Sequence, residues 1–338
     1  MLAMSANRRM VSSFGSPAGA ATTRSVLAAL RDGGVAAQAA TVSLEAQREV
    51  EAPPRVESAT PVEGEVMRSR LVPGEPLVGI AAFLDGVQRS QVRAHLAGVP
   101  AVHGAVAAAV RIRAERRLSA WQAPIRSHAL YLPKPLVDPA LFDALASRCA
   151  VVDTLAEHDP AQPLPRHPGD LAARALTAVQ RERERAEHAL AAAWVRERPE
   201  PLLVDGGIAG SEEVARSQSA VGVVKSHRTL YVAGDAMDAV LGLREGERST
   251  AVALASPRRT PVATWYLRLR EPGARGPFFG LVRVEVALTD ESAITARADL
   301  VSRWLLAERA PIALPDARWD VMVYGIRECE QYLTSILQ

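Results

Sequence analysis

Lys225 and Asp205 stand at the ends of two short apolar runs, Val221-Gly222-Val223-Val224 and Leu202-Leu203-Val204, with Gly206-Gly207 turning the chain after the aspartate. Of 40 Lys and Arg residues, only Lys134 and Lys225 are lysines. A compact ammonium is not interchangeable with a planar guanidinium, so a lysine in so arginine-rich a chain is a candidate for chemistry beside Asp205. The plain alternative is a solvated lysine at a strand edge. A third apolar run, Leu77-Val78-Gly79-Ile80-Ala81-Ala82-Phe83-Leu84, reaches Asp85-Gly86 as the Asp205 run reaches Asp205-Gly206. Read as strands, both runs end in Asp-Gly, and strand ends are where α/β folds place side chains that project into a crevice. Glu187, on a charged helical stretch leading into the Asp205 run, offers a third carboxylate. Convergent carboxylates suit hard divalent cations such as Mg²⁺ or Mn²⁺, which in pairs stabilise the entering and leaving oxygens of phosphodiester hydrolysis. Lys225 would position the phosphate or offset its charge. Against this, Asp-Gly is an ordinary turn signal and a glutamate among arginines is commonly a solvated helix face. His227 is a weaker phosphate-binding candidate.

Other chemistries lack their motifs. There is no Gly-Lys-Ser/Thr phosphate loop, no Gly-x-Gly-x-x-Gly after a strand and no Gly-x-Ser-x-Gly elbow. The two cysteines, Cys149 and Cys329, lie far apart and show no metal-ligand spacing. A net charge of +2 is too balanced to demand a nucleic-acid partner, so a basic surface must come from clustering. The 48% hydrophobic content supports a sizeable core built from Ala, Leu and Val, since aromatics are only 4%. No apolar run approaches the ~20 residues of a membrane span, and Met1 to Arg9 precedes no apolar signal core, so a cytoplasmic protein, neither exported nor membrane-embedded, is expected.

The elements that must position these residues follow from periodicity. Thr22 to Val50 reads as a helical pair broken at Gly33-Gly34, and Glu51 to Pro76 as an extended linker or edge strands. Leu77 to Leu84 reads as a buried central strand stopping at Asp85-Gly86, while Gly104 to Trp121 fits strand and helix equally. A short helix is expected within Leu136 to Ala150 and a long one over Asp170 to Arg196, with Leu171, Leu176, Val179, Leu190 and Trp194 as its apolar set. Strands are expected at 202–204, 221–225, 250–254, 262–269 and 281–286, the last three as antiparallel partners, and closing helices over 294–308 and 325–337.

In order, Phe83-Leu84-Asp85-Gly86 with Ser90, Arg183-x-x-x-Glu187-x-x-x-Ala191, Leu202 to Gly207 and Val221 to Ser226 resemble successive motifs of the NurA nucleases. The likeness runs on through Tyr266-Leu267-Arg268-Leu269 and Val282-Arg283-Val284-Glu285 to the last helix. It implies an α/β, ribonuclease H-like core related to the Argonaute nuclease domain, with a mixed central sheet flanked by helices. It also implies a Mn²⁺-dependent, or Mg²⁺-dependent, two-ion deoxyribonuclease, acting as a 5′ to 3′ exonuclease and single-strand endonuclease. The implied partners are DNA, a second copy in a homodimer and a HerA-type hexameric translocase. The implied setting is end resection in double-strand-break repair and homologous recombination. Carried over, Asp85, Glu187 and Asp205 would be metal ligands and Lys225 would lie near the scissile phosphate. The family histidine of the final motif has Glu330 in its place, and a carboxylate there could still ligate the metal. Residues 77–338 would form the nuclease domain, and 1–76 a helical segment and linker making dimer or ring contacts. Without the histidine, a non-catalytic DNA-binding adaptor for the translocase is the alternative.

Overall fold

The computed structural model describes residues 22–37, 44, 54–57, 59–114, 117–256, 259–309 and 323–337. The first part of the chain gives α1 (Thr23–Asp32), β1 (Arg55–Val56), β2 (Thr60–Pro61), β3 (Ser69–Leu71), β4 (Ala82–Leu96), β5 (Val99–Ala114), β6 (Arg117–Ala120) and β7 (Ile125–Leu132). Then come α2 (Pro139–Ala146), β8 (Val151–Asp153), α3 (Pro168–Glu197), β9 (Leu202–Asp205), α4 (Glu212–Ala215), β10 (Ala220–Val224) and β11 (Thr229–Leu230). The last part holds α5 (Asp235–Leu241), β12 (Glu247–Ser249), β13 (Val252–Ser256), β14 (Arg259–Arg268), β15 (Leu281–Ala287), α6 (Glu291–Glu308) and α7 (Tyr324–Ile336).

The shortest apolar runs make the middle of the sheet, because strands buried on both faces need no polar alternation. β9 lies between β4 and β10, parallel to both, with Phe83 opposite Leu203 and Leu203 opposite Val221. Antiparallel strands extend this centre on both sides, in the order β2-β13-β14-β15-β10-β9-β4-β5-β7-β8. The fold is therefore α/β, a mixed central sheet with helices on both faces. α3 covers one face through Leu176, Val179, Ala186, Leu190 and Trp194, which pack on Leu84, Val106, Leu202 and Val204. α6 covers the other face over Phe83, Leu203, Val223 and Val284. On that same face α7 sits on Ala105, Ala107 and Ala109 of β5, and α1 on Ala101 and Leu130.

Two expectations are corrected. Residues 77–80 are not strand, and the strand that follows does not stop at Asp85-Gly86 but continues to Leu96. The turn chemistry lies further on, where Ala97 and Gly98 both take positive φ, 47° and 89°, and return the chain as β5. An unbroken ladder from Ala82↔Ile112 to Val92↔Val102 holds the two strands together past Asp85. The ambiguous stretch from Gly104 is strand, most of β5 and then β6. Of the N-terminal helical pair, the first helix is α1, and the remainder falls largely outside the described residues. The Glu51 to Pro76 stretch supplies the short strands β1, β2 and β3, and β2 and β3 join the same sheet as residues beyond 77. Among the described residues, no helix is long and apolar enough to cross a membrane.

Candidate active site

Register decides which side chains meet. Phe83 of β4 pairs with Leu203 of β9, and Leu84 with Val204, so Asp85 and Asp205 follow as neighbours on adjacent parallel strands. Phe83, Leu203, Val221 and Val223 all point to the α6 side. The two-residue period of a strand then sends Asp85, Asp205 and Lys225 to that same side. Lys225 Nζ donates to both oxygens of Asp205, at 2.8 and 2.9 Å. Beyond Asp205 the backbone turns sharply at Gly206, whose φ of 121° a residue with a side chain rarely adopts.

Glu187 approaches from the opposite face. It occupies a core position of α3, between Ala186 and Leu190, and is buried with them. It fits because β4 carries a glycine there: a Cβ on Gly86 would overlap the Glu187 carboxylate. Asp-Gly in this chain therefore serves close helix packing at Gly86, not a strand end. Arg183, one helical turn earlier, donates to Glu187 Oε1 and also, from Nε, to Gln88 Oε1 at 3.2 Å.

Asp85 and Asp205 thus neighbour Lys225 on one face, while Glu187 and Arg183 reach towards them from the other. Burial, and then the charge of Asp205, raise the Asp85 carboxyl well above its ordinary value, Lys225 opposes this, and Glu187 adds to it. The Gly86 amide donates to Asp85 Oδ1 at 2.7 Å. Burial likewise lifts Glu187 to about 7 against the pull of Arg183, and Asp205 pushes in the same direction. Among the described residues no three His, Cys, Asp or Glu side chains are grouped closely enough to hold one ion as they stand. The oxygens of Asp205 are turned to Lys225 and one oxygen of Glu187 to Arg183. The donor set itself suits a hard cation: carboxylate oxygens only, with like charges that repel and so favour proton uptake or a counter-ion.

Glu330 is half-buried on α7 and pairs with Arg327 at 3.3 Å. Its neighbour Cys329 is fully buried and places Sγ 3.5 Å from the Ala109 carbonyl, and burial together with the Asp85 charge pushes its thiol pKa up. Both cysteines are free thiols. His227 is not a surface group: its Nε2 lies 2.8 Å from the Leu281 carbonyl and its ring stacks on Phe278 with centroids 5.2 Å apart.

Arg183, Arg283 and Glu285 lie within the motifs quoted above, and their charge pattern carries a signal for the positioning role each plays. Arg183 and Glu187 are an i,i+4 ion pair in the apolar register of α3, a position that calls for a leucine. Arg283 and Glu285 are opposite charges two apart on an otherwise apolar strand, hence on one face, where they pair at 2.6 Å. Glu285 Oε2 then accepts from the Ile208 amide at 2.8 Å and anchors the loop that leaves Asp205. No family model matches the chain, and no curated protein matches its sequence.

Proposed function

We propose that the chain is a metal-dependent deoxyribonuclease of the NurA kind, built on a ribonuclease H-like core and acting at DNA ends with a HerA-type translocase. The observation that carries this reading is that Asp85 and Asp205 follow the paired Leu84 and Val204 on adjacent parallel strands, on one face, with Lys225 bound to Asp205 and Glu187 packed against Gly86. Asp85, Glu187 and Asp205 would hold the Mn²⁺ or Mg²⁺ ions. Such ions polarise a phosphodiester and lower the pKa of a bound water. Lys225, which donates to Asp205 in this structure, would offset charge on a non-bridging phosphate oxygen in the transition state. Arg183 keeps Glu187 aligned against the sheet. Glu285 anchors the loop after Asp205 at the Ile208 amide.

The test is cleavage of 5′-labelled single-stranded DNA with Mn²⁺, Mg²⁺ or EDTA, wild type beside Asp205→Ala. Cleavage that needs both metal and Asp205 is expected, with activity falling at least about a thousandfold in the variant. Metal-dependent cleavage that survives in the pure variant would remove Asp205 from the site. One observation favours a second reading, a non-catalytic DNA-binding subunit of the translocase: both oxygens of Asp205 are already engaged by Lys225. That reading expects salt-sensitive DNA binding with no metal-dependent product.

A further inference from the structure

α7 lies over Asp85 on the α6 side of the sheet. Its first turn closes on Phe83, where a Cβ on Gly325 would overlap the aromatic ring. One turn on, Cys329 Sγ lies 3.5 Å from the carbonyl of Ala109, the residue directly across the ladder from Asp85. Leu333 and Leu337 then rest with Ala105, Ala107 and Val87. Asp85 is only 5% exposed, while Asp205 and Lys225 beside it are half-buried and reach solvent. A Mg²⁺ ion keeps several waters when it binds carboxylates, and a carboxyl so enclosed leaves no room for them.

The helix is held more lightly than α3 or α6. Its seat on β5 is alanine, and an alanine offers an incoming leucine few atoms to hold by dispersion. α3 instead packs Trp194, Leu176 and Leu190 against Leu84, Val106, Leu202 and Val204. The ion pair of α7 with the sheet has a single prong. Arg111 Nη2 donates to Glu328 Oε1 at 2.9 Å, while Arg111 Nε and Glu328 Oε2, both buried, have no partner. Two residues along β5, Arg113 grips Glu308 of α6 with a fork, both bonds at 2.6 Å. The Arg111 guanidinium also lies 4.2 Å from the centre of the Tyr332 ring, so both contacts depend on one side chain of β5. Trp265 Nε1 ties the sheet to Ser302 of α6 at 3.0 Å, whereas beneath α7 the thiol of Cys329 is a weak donor.

We infer that α7 is a reversible cover over Asp85, which lifts from β4 and β5 as a unit while the rest of the sheet stays folded, and that the Arg111–Glu328 pair is the latch that sets how often it lifts. Closed, the helix keeps hydrated cations from Asp85; lifted, it opens the Asp85–Asp205 pair to them. An element with few buried apolar contacts opens at a free energy below that of global unfolding. The consequence for catalysis rests on the nuclease reading, whereas the cover itself does not.

Cys329 is the reporter, since it is fully buried beneath α7 and its thiol reacts only when uncovered. Cys149→Ser leaves it as the single thiol of the full chain. Labelling by an aromatic disulfide reagent at about pH 8 is followed against urea. Global unfolding is read in parallel from tryptophan fluorescence, and α7 carries no tryptophan. The labelling rate is expected to depend on urea with less than about a third of the slope of global unfolding. Glu328→Gln is expected to speed labelling about three- to fivefold with the global midpoint unchanged. Arg181→Gln, which breaks a surface pair on α3, is expected to leave the rate alone. Labelling that follows the urea slope of global unfolding, or that Glu328→Gln does not alter, would overturn the proposal. Saturating Mn²⁺ is expected to raise the rate at least about threefold, by binding Asp85 only when the cover is lifted, and to have no effect in Asp85→Asn. Local opening that is indifferent to Mn²⁺ keeps the cover and sinks Asp85 as an ion ligand. Cleavage that needs Mn²⁺ and Asp205, in a chain whose Cys329 reacts only on global unfolding, keeps the nuclease and sinks the cover.

Discussion

Glu187 brings a carboxyl into surroundings that resist its charge, and its protonation therefore couples to folding. Its pKa is raised to about 7 by burial, from an ordinary value of 4.5, with Arg183 opposing. A raised carboxyl stabilises the fold while it is neutral: the contribution is whole below pH 4.5 and is lost as pH climbs through 7. The shift corresponds to about 3 kcal/mol across that window when no cation is added. Glu187→Gln, which keeps the shape and removes the charge, is expected to lift urea stability at pH 8 more than at pH 5. An equal gain at both would mean that the carboxyl is not charged in the fold. Of the site residues, Asp205 and Lys225 were legible from apolar runs and lysine scarcity. Glu187 was legible as a carboxylate on a charged helical stretch, but its burial was not, because it occupies a position that periodicity assigns to leucine.

The antiparallel β4–β5–β7 unit has its own pH dependence. On its α7 side, between Ala105 and Ala101, His103 Nε2 lies 3.3 Å from His128 Nδ1, with the rings stacked 5.5 Å apart. One nitrogen must donate and the other accept, so a second proton would set two donors face to face. Burial, then His128 and Arg93, lower His103 to about 4 from 6.5. A depressed histidine stabilises the fold while neutral, and that stability is lost as pH falls from 6.5 towards 4, opposite in sign to Glu187. The two slopes oppose each other over their shared range, so wild-type stability should be flat near pH 5 to 6. His103→Phe is expected to weaken the acid-side loss in a urea titration, and a profile identical to wild type would exclude the pair as its source. The length of β4 was not legible because its second half, Val87 to Leu96, mixes charges with small residues and follows a turn-like dipeptide. The Ala-rich partner strand and the glycine gap that admits Glu187 supply what local pattern lacks. The mixed sheet, long α3 and antiparallel β13–β14–β15 edge were legible because each rests on a sustained local period.

Across the whole molecule, a buried ionic knot binds distant parts of the chain. Arg248 is fully buried and donates to both oxygens of Glu63 at 2.6 Å and to Asp299 at 2.7 Å, and Glu63 also takes Arg70 at 2.7 Å. The Ala251 amide completes Glu63 at 2.9 Å. No local pattern announces such a knot, since its members come from β12, α6, β3 and the stretch between β2 and β3. Glu63→Ala would leave a guanidinium in the interior with half its partners, and a loss of about 3 to 5 kcal/mol is expected by chemical denaturation. A loss under about 1 kcal/mol would mean that water replaces the carboxylate. The placement of α7 over β4 and β5 bears on how the protein is made. Asp85 is synthesised early, yet the helix that covers its neighbours is residues 324–336. At ordinary translation speeds the two are separated by about 10 to 50 s. During that interval the Asp85 side of β4 and β5 lacks its α7 cover, so a nascent chain carries its carboxylates well before it has a closed site.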